Sequence, residues 1–498
     1  MSDQASDAAA IWPDDWPSGL YTLPPTQPLL TTLAHGLTYR CRHDPLALAR
    51  ITIMLPTRRA CRAMRSAFLE AHQHFRALQP GDDGREQSIL LPILRPIGDV
   101  DEDELILTSD DPGLEPLAPP IGGLERQLRL SRAIMAAAPA DEKPTPERAI
   151  DLAAELARLL DQLDIEGVPF EALAGLVPDD YAHHWQEVLQ FLDILGEHWP
   201  GVLAERGATD PGKYRDRWLR RAADFMASQR PTDPVIIAGS TGSIPATSAL
   251  MRAVLDLPRG TVLLPGFDRR IVGETLPESH AQYQLLKLVN ELGATPEDWP
   301  APWPDSALDA KAAHHRQVLI DVLTGIDPGM DADPAVMDQV TPVTCSGPEH
   351  EAMVAALAMR EVLEPDTPAN TAMLVTPDRN IANRVAAVLG RYGITVNDSA
   401  GQALADTPVG IWLRLTAVLV ANRFGPRDLL SVFKHPLAAL GRNPAECREN
   451  IRLLEMLVLR GPRPAPGIEG LKLALDARRH DEERPPDIRL LARADGFV

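Results

Sequence analysis

The chain has 498 residues and a formal charge of −21, from 49 Lys+Arg against 70 Asp+Glu, with 45% hydrophobic and 24% charged residues. This is the balance of a folded globular protein, so disorder throughout, a collagen-like repeat and a disulfide-stapled mini-protein are excluded. At roughly 150 residues per domain, about three domains are expected.

The four cysteines, Cys41, Cys61, Cys345 and Cys447, lie too far apart for any C-x-x-C spacing, which fits a reducing compartment. No apolar run reaches the ~18 residues of a membrane span, and Met1 to Ala10 carries no Lys or Arg, so a cytoplasmic protein without membrane contact is expected. Charge is not evenly spread. Between Thr38 and Arg76 stand Arg40, Arg42, Arg50, Arg58, Arg59, Arg62, Arg65 and Arg76 against only Asp44 and Glu70.

In chain order, Leu20 to Leu23 reads as a first strand, closed by the proline-rich Pro24 to Pro28. Arg50 to Leu55 is a short β-branched run, followed by Pro56-Thr57 and an amphipathic helix from Arg58 to Ala71. Gly98 to Glu115 holds eight acids and no Lys or Arg, the composition of a solvated loop. Helices alone then follow: Leu124 to Ala138, Pro146 to Leu163, Tyr181 to Leu195 and Tyr214 to Ala227. Strand and helix grammar returns with Pro234 to Gly239, the helix Pro245 to Leu255, and the strand Thr261 to Leu264.

Pro-rich connections at Ala294 to Asp305 and Asp327 to Pro334 precede a second α/β stretch. It comprises the strand Thr371 to Val375, the helix Asn380 to Leu389 and the strand Gly393 to Val396. From Arg423 the pattern is helical again, with a linker at Gly461 to Gly467, and Ile488 to Val498 forms no terminating element. Continuous apolar strands alternating with helices predict parallel sheets covered on both faces.

Three chemical motifs are imitated. Gly207 to Tyr214 matches G-x-x-x-x-G-K but ends in Tyr and follows a helix, whereas a phosphate loop follows a strand. After the first strand, where such a loop belongs, three prolines remove backbone N–H donors, and neither Gly nor Lys is present. Asp305, Asp309 and Lys311 resemble nuclease carboxylates but are too compressed to come from two strands. His183-His184 and His314-His315 are adjacent pairs, and His350-Glu351 has no second histidine at metal-binding spacing.

Pro56-Thr57-Arg58-Arg59 with Arg62 and Arg65 remains. Thr57 is placed to cap a helix at the carboxyl end of a parallel strand, where α/β sheets hold ligands, and arginines there suit phosphate. A solvated helix face is the alternative, and these residues alone do not choose.

The chain resembles the AddB family, the second subunits of bacterial AddAB helicase-nucleases, in the alphaproteobacterial form. The likeness runs through Leu48 to Ala60, Leu90 to Leu105, Val235 to Pro245, Thr261 to Asp268, Ala372 to Arg379, Val396 to Gly401 and Lys434 to Leu437. It implies an α/β fold of two RecA-like parallel-sheet domains of superfamily 1 helicase type. Residues 1–115 and 230–325 would form the first, 116–229 an all-helical insertion, 340–422 the start of the second, and 423–498 the start of a second helical insertion, truncated. By the resemblance, Leu55 to Ala60 is similar to helicase motif Ia, which assigns single-stranded DNA contact to Thr57, Arg58, Arg59 and Arg62.

The ATPase motifs depart from the family of active helicases at four places: Pro24 to Pro28, the missing Asp-Glu pair before Pro234, the loop Gly239 to Ile244, and Thr376. The resemblance therefore implies a catalytically inactive, non-motor DNA-binding subunit in double-strand break repair. It would pair with an AddA motor-nuclease subunit, hold unwound single strands from double-stranded ends and recognise a recombination hotspot sequence. No cofactor is expected in this chain; the family's iron–sulfur cluster and nuclease magnesium would lie beyond Val498. An ATP-dependent helicase or nuclease in its own right, and a pure scaffold for the motor subunit, are the alternatives.

Overall fold

The computed structural model describes residues 16–77, 89–97, 117–138, 143–169, 172, 198–271, 273–293, 316–322, 338, 340–363 and 371–480. The expected helix Tyr181 to Leu195, the acidic run Gly98 to Glu115, the Asp305–Lys311 near-motif, both histidine pairs and the last residues lie outside them. The chain divides into two compact units, Met1–Thr341 and Pro342–Val498.

The first unit is built on β1 (Gly19–Leu23), β2 (Thr52–Leu55), β3 (Ile93–Pro96), β4 (Val235–Ala238) and β5 (Gly260–Pro265). They pair in the order β1-β5-β4-β2-β3, and every pairing is parallel. Strands buried on both faces need apolar residues in succession, and β4 is buried at all four positions. Alternate residues feed two cores. Leu23, Ile53, Leu55, Ile236, Ala238 and Leu263 face one, while Leu20, Met54, Val235, Ile237, Val262 and Leu264 face the other.

Helices α1 (Leu29–Arg40) and α3 (Arg58–Ala77) fill the first core with Leu33, Leu37, Met64 and Phe68. Between them the short α2 (Pro45–Arg50) is capped by the Asp44 carboxylate, which accepts from Leu46 N–H at 3.0 Å. The opposite core takes α6 (Pro211–Gln229), α7 (Pro245–Leu255) and α8 (Tyr283–Glu291). The remaining helices between β3 and β4, α4 (Gly123–Ala137) and α5 (Pro146–Glu166), pack with residues 198–206 around Leu130, Ile134, Leu156, Trp199 and Leu203. The last helix of the expected insertion, α6, thus lends its apolar face to the sheet.

The second unit holds α9 (Pro348–Leu363), α10 (Arg379–Arg391), α11 (Pro408–Ala421), α12 (Pro426–Phe433), α13 (Pro444–Leu454) with a π-helical turn at Glu455–Leu459, and α14 (Gly467–Arg479). Here the expected strands Thr371 to Val375 and Gly393 to Val396 are corrected. Both segments lack any strand ladder among the described residues. The pair α9 and α10 packs on Leu374, Ile394 and Val396 from one side, while Met373 is 86% and Val375 80% exposed. A strand exists only through its partners, and a β-branched run alone supplies none.

Phe68 is fully buried between α3 and the sheet. Phe68→Ala is expected to cost about 3–5 kcal/mol in urea unfolding. Arg65→Ala, on the exposed face of the same helix, should change stability by less than about 0.5 kcal/mol.

Candidate nucleic-acid interface

All five strands are parallel, so the loops after β1, β5, β4 and β2 share one edge of the sheet. From β2 the chain leaves through α3 on the first face toward β3; from β4 it leaves through α7 on the opposite face toward β5. Neighbouring strands whose connections depart in opposite directions leave a crevice between their carboxyl ends, and that is where α/β sheets bind ligands. Here the crevice lies between Pro56-Thr57-Arg58 and the loop 239–244. A Cβ built on Gly239 would stand in ordinary contact with Pro56 Cδ, at 3.8 Å, and it is the left-handed φ of +75° that favours glycine here.

Thr57 caps α3 as the sequence predicts: its hydroxyl accepts the Ala60 N–H at 3.1 Å, and its carbonyl accepts Cys61 N–H at 3.1 Å. Arg58 and Arg59 occupy the first turn, which holds no acid. Cations at a helix N-terminus oppose the macrodipole, so the turn concentrates positive potential. Arg58, Arg62 and Arg65 are exposed along one face, opposite the buried Cys61, Met64 and Phe68. Arg62 and Arg65 form no ion pair among the described residues. Across the crevice Thr241 and Ser243 expose hydroxyl groups.

The arginine-rich island does not stay together. Arg50 sits at the opposite edge of the sheet, paired with Asp233 at 2.6 Å, and Arg42 closes α1 over the Tyr39 ring at 4.0 Å. Only the island's part in the first turns of α3, from Arg58 to Arg62, stands at the crevice, while Arg76 lies in the last turn of that helix.

The other half of the edge, at β1 and β5, is closed. Pro24 O accepts Gln27 N–H at 2.9 Å in a tight turn, and Pro25 packs on Gly266. Residues 316–322 form a helix that Arg316 ties to this turn, donating to Thr26 O at 3.0 Å. Arg270 anchors the same helix by two bonds to the Asp321 carboxylate, at 2.7 and 3.2 Å, which hold that carboxyl below the usual range.

The G-x-x-x-x-G-K look-alike is occupied by protein. Thr209 forms a β-bridge with Pro120, and Asp210 starts α6. Asp210 is buried, takes the Trp199 indole N–H at 2.7 Å and lies 2.8 Å from Arg126 Nε. Arg126 Nη1 also reaches Asp161 at 2.9 Å, and Lys213 lies 3.6 Å from Asp164. A Cβ on Gly212 would come within 2.9 Å of Asp164 Cβ, so the second glycine serves helix packing rather than a phosphate.

Sequence reasoning missed Arg379, three residues past Thr376. It opens α10 and grips Asp398 through two bonds of 2.9 and 2.8 Å. The spacing of 19 residues between them carries no periodic signal.

Burial pushes the Asp164 carboxyl up to about 6, with Lys213 opposing. The folded state therefore binds this proton more tightly than the unfolded chain, whose Asp titrates near ~3.9. The associated stability is complete below about pH 4 and is lost as pH rises through about 6. Asp164→Asn removes that loss. Hydrogen exchange should show α5 and α6 amides gaining protection over wild type by about 1 kcal/mol at pH near 8, about half of that at pH near 5, and little near pH 3.5.

Compared with known proteins, the chain matches no protein-family model and no curated protein.

Proposed function

We propose that this chain is an AddB-type, non-motor subunit that holds single-stranded DNA at the carboxyl edge of a helicase-like sheet. The observation that carries the reading is the position of Thr57, Arg58, Arg59 and Arg62 at the crevice between β2 and β4, where an acid-free helix start gathers guanidinium groups. Phosphate oxygens are the ligand chemistry that helix-start N–H groups and guanidinium groups recognise. The parallel sheet interrupted by a helical block supports a RecA-like first domain. In this reading the subunit works beside an AddA motor-nuclease on double-stranded ends, and the strand it holds is scanned for a hotspot sequence.

A silent ATPase site is part of the same reading. The β1 turn offers three prolines and a covering helix where a phosphate loop would need N–H donors. The scaffold reading is favoured by a separate observation, the exposed Met373 and Val375, and describes a second role of the subunit in contacting its partner.

Fluorescence anisotropy of the full chain with labelled oligothymidylates over a salt series tests the DNA contact. Arg58→Ala/Arg62→Ala should weaken all sequences about equally and lower the log–log salt slope by roughly 1.4, about 0.7 per lost phosphate contact on single strands. An unchanged slope would return these arginines to a solvated helix face. With a fluorescent ATP analogue and magnesium, no saturable binding is expected. Micromolar binding that survives Lys213→Ala would overturn the non-motor reading.

A further inference from the structure

Residues 423–480 carry eleven Lys and Arg against six Asp and Glu, an excess of five positive charges in a chain whose net charge is −21. They form the packed helices α12, α13 and α14, joined to α11 around Leu419, Leu429, Ile451, Leu454 and Leu471. The excess has a focus where α11 turns into α12. Arg423 and Phe424 take consecutive left-handed conformations, φ +50° and +60°, at positions where glycine or asparagine would be unstrained. Phe424 is drawn partly into the core, and Arg423 stays exposed.

The returning chain meets this corner. Gly467 N–H donates to Arg423 O at 2.9 Å, and a Cβ on Gly425 would stand 3.9 Å from Arg463 Nη2. Gly425 caps α12 without a side chain, and Pro426 and Arg427 open the helix. Arg427 projects into solvent at 94% exposure. Arg423 and Arg463 have no carboxylate partner among the described residues. One acid is near, Asp428, largely buried: it lies 3.8 Å from Arg427 Nε and accepts from Asn422 Nδ2 at 2.8 Å. Farther along, Lys434 and Arg460 share the single carboxylate of Glu455, so that group also retains positive charge.

We infer that the Arg423, Arg427 and Arg463 corner of the second unit is a separate binding site for the phosphodiester backbone of single-stranded nucleic acid. Three guanidinium groups at one chain reversal, two of them without a carboxylate partner beside a helix start with no side-chain cap, suit the phosphates of a nucleic-acid backbone. The site rests on the reading of the protein as a single-strand binder, but uses different residues in a different unit.

The test is anisotropy of the full chain with labelled oligothymidylate over a potassium chloride series, comparing wild type, Arg423→Gln/Arg463→Gln, and Arg423→Lys/Arg463→Lys. The Gln pair should lower the salt slope by roughly 1.4, and the Lys pair should keep it, since charge rather than fork geometry drives counterion release. An unchanged slope in the Gln pair overturns the inference. If Arg58→Ala/Arg62→Ala alone lowers the slope, the proposed function stands and this site falls; absence of binding by wild type at about 20 mM salt removes both. Calorimetry with inorganic phosphate supplies the other arm. Saturable phosphate binding lost in the Gln pair, with oligonucleotide binding unchanged, would assign the corner to the free anion and overturn the nucleic-acid assignment.

Discussion

The constraint on which the first unit depends is that a parallel sheet has two apolar faces and no hairpins. Each strand must return by a crossover long enough to cover a face, and both faces need cover. With β1 at one end and β3 at the other, the chain meets this by placing α1 and α3 below one face and α6, α7 and α8 on the opposite one. The crevice between β2 and β4 is a consequence. Two adjacent strands send their helices apart, and the backbone between them cannot close. Gly239, with its left-handed φ and its contact to Pro56, marks how near the two loops come.

Arginine serves opposite purposes in two parts of this unit. Arg126 is almost wholly buried and spans Asp210 and Asp161, so it locks α4 to the start of α6 and α5. Removing either partner of such a pair leaves an uncompensated buried charge, and this is costly even where the intact pair adds little net stability. Arg62 and Arg65 stand in water and contribute almost nothing to folding; their value lies in positive potential at the sheet edge. Charge alone in the sequence cannot separate these cases. The difference is whether a carboxylate from a distant helix arrives at the same point.

Much of the first unit was legible because its strands are buried on both faces. Thr261 to Leu264 and the helix Pro245 to Leu255 stand where continuous apolar residues and the N1 proline place them. The edge strand β3 was not, because Ile93 and Arg95 are exposed and their alternation is too short to register. Thr57 was identified by capping chemistry, which is local. The splitting of the arginine island was hidden, since Arg50 and Arg58 lie close in sequence yet at opposite ends of β2. In the second unit the β-branched runs were read as paired strands, and pairing depends on neighbours that no local pattern encodes. The excess of positive charge after Arg423 was also overlooked, its residues being spread over 58 positions of helix and linker rather than concentrated in one run.

An acidic protein can hold a polyanion only if its positive groups act at short range. Helix α3 has 20 residues and so spans about 30 Å, roughly three Debye lengths at 0.1 M salt. At that ionic strength the acids of the far sheet edge are screened from the crevice, while a guanidinium in contact with a phosphate is not. Lowering the salt extends the reach of both, so repulsion from the −21 background grows together with the attraction at the contacts. The salt dependence of wild-type binding therefore understates the number of phosphates touched. A difference in slope between wild type and a variant cancels the common background, so it counts contacts where the absolute slope does not.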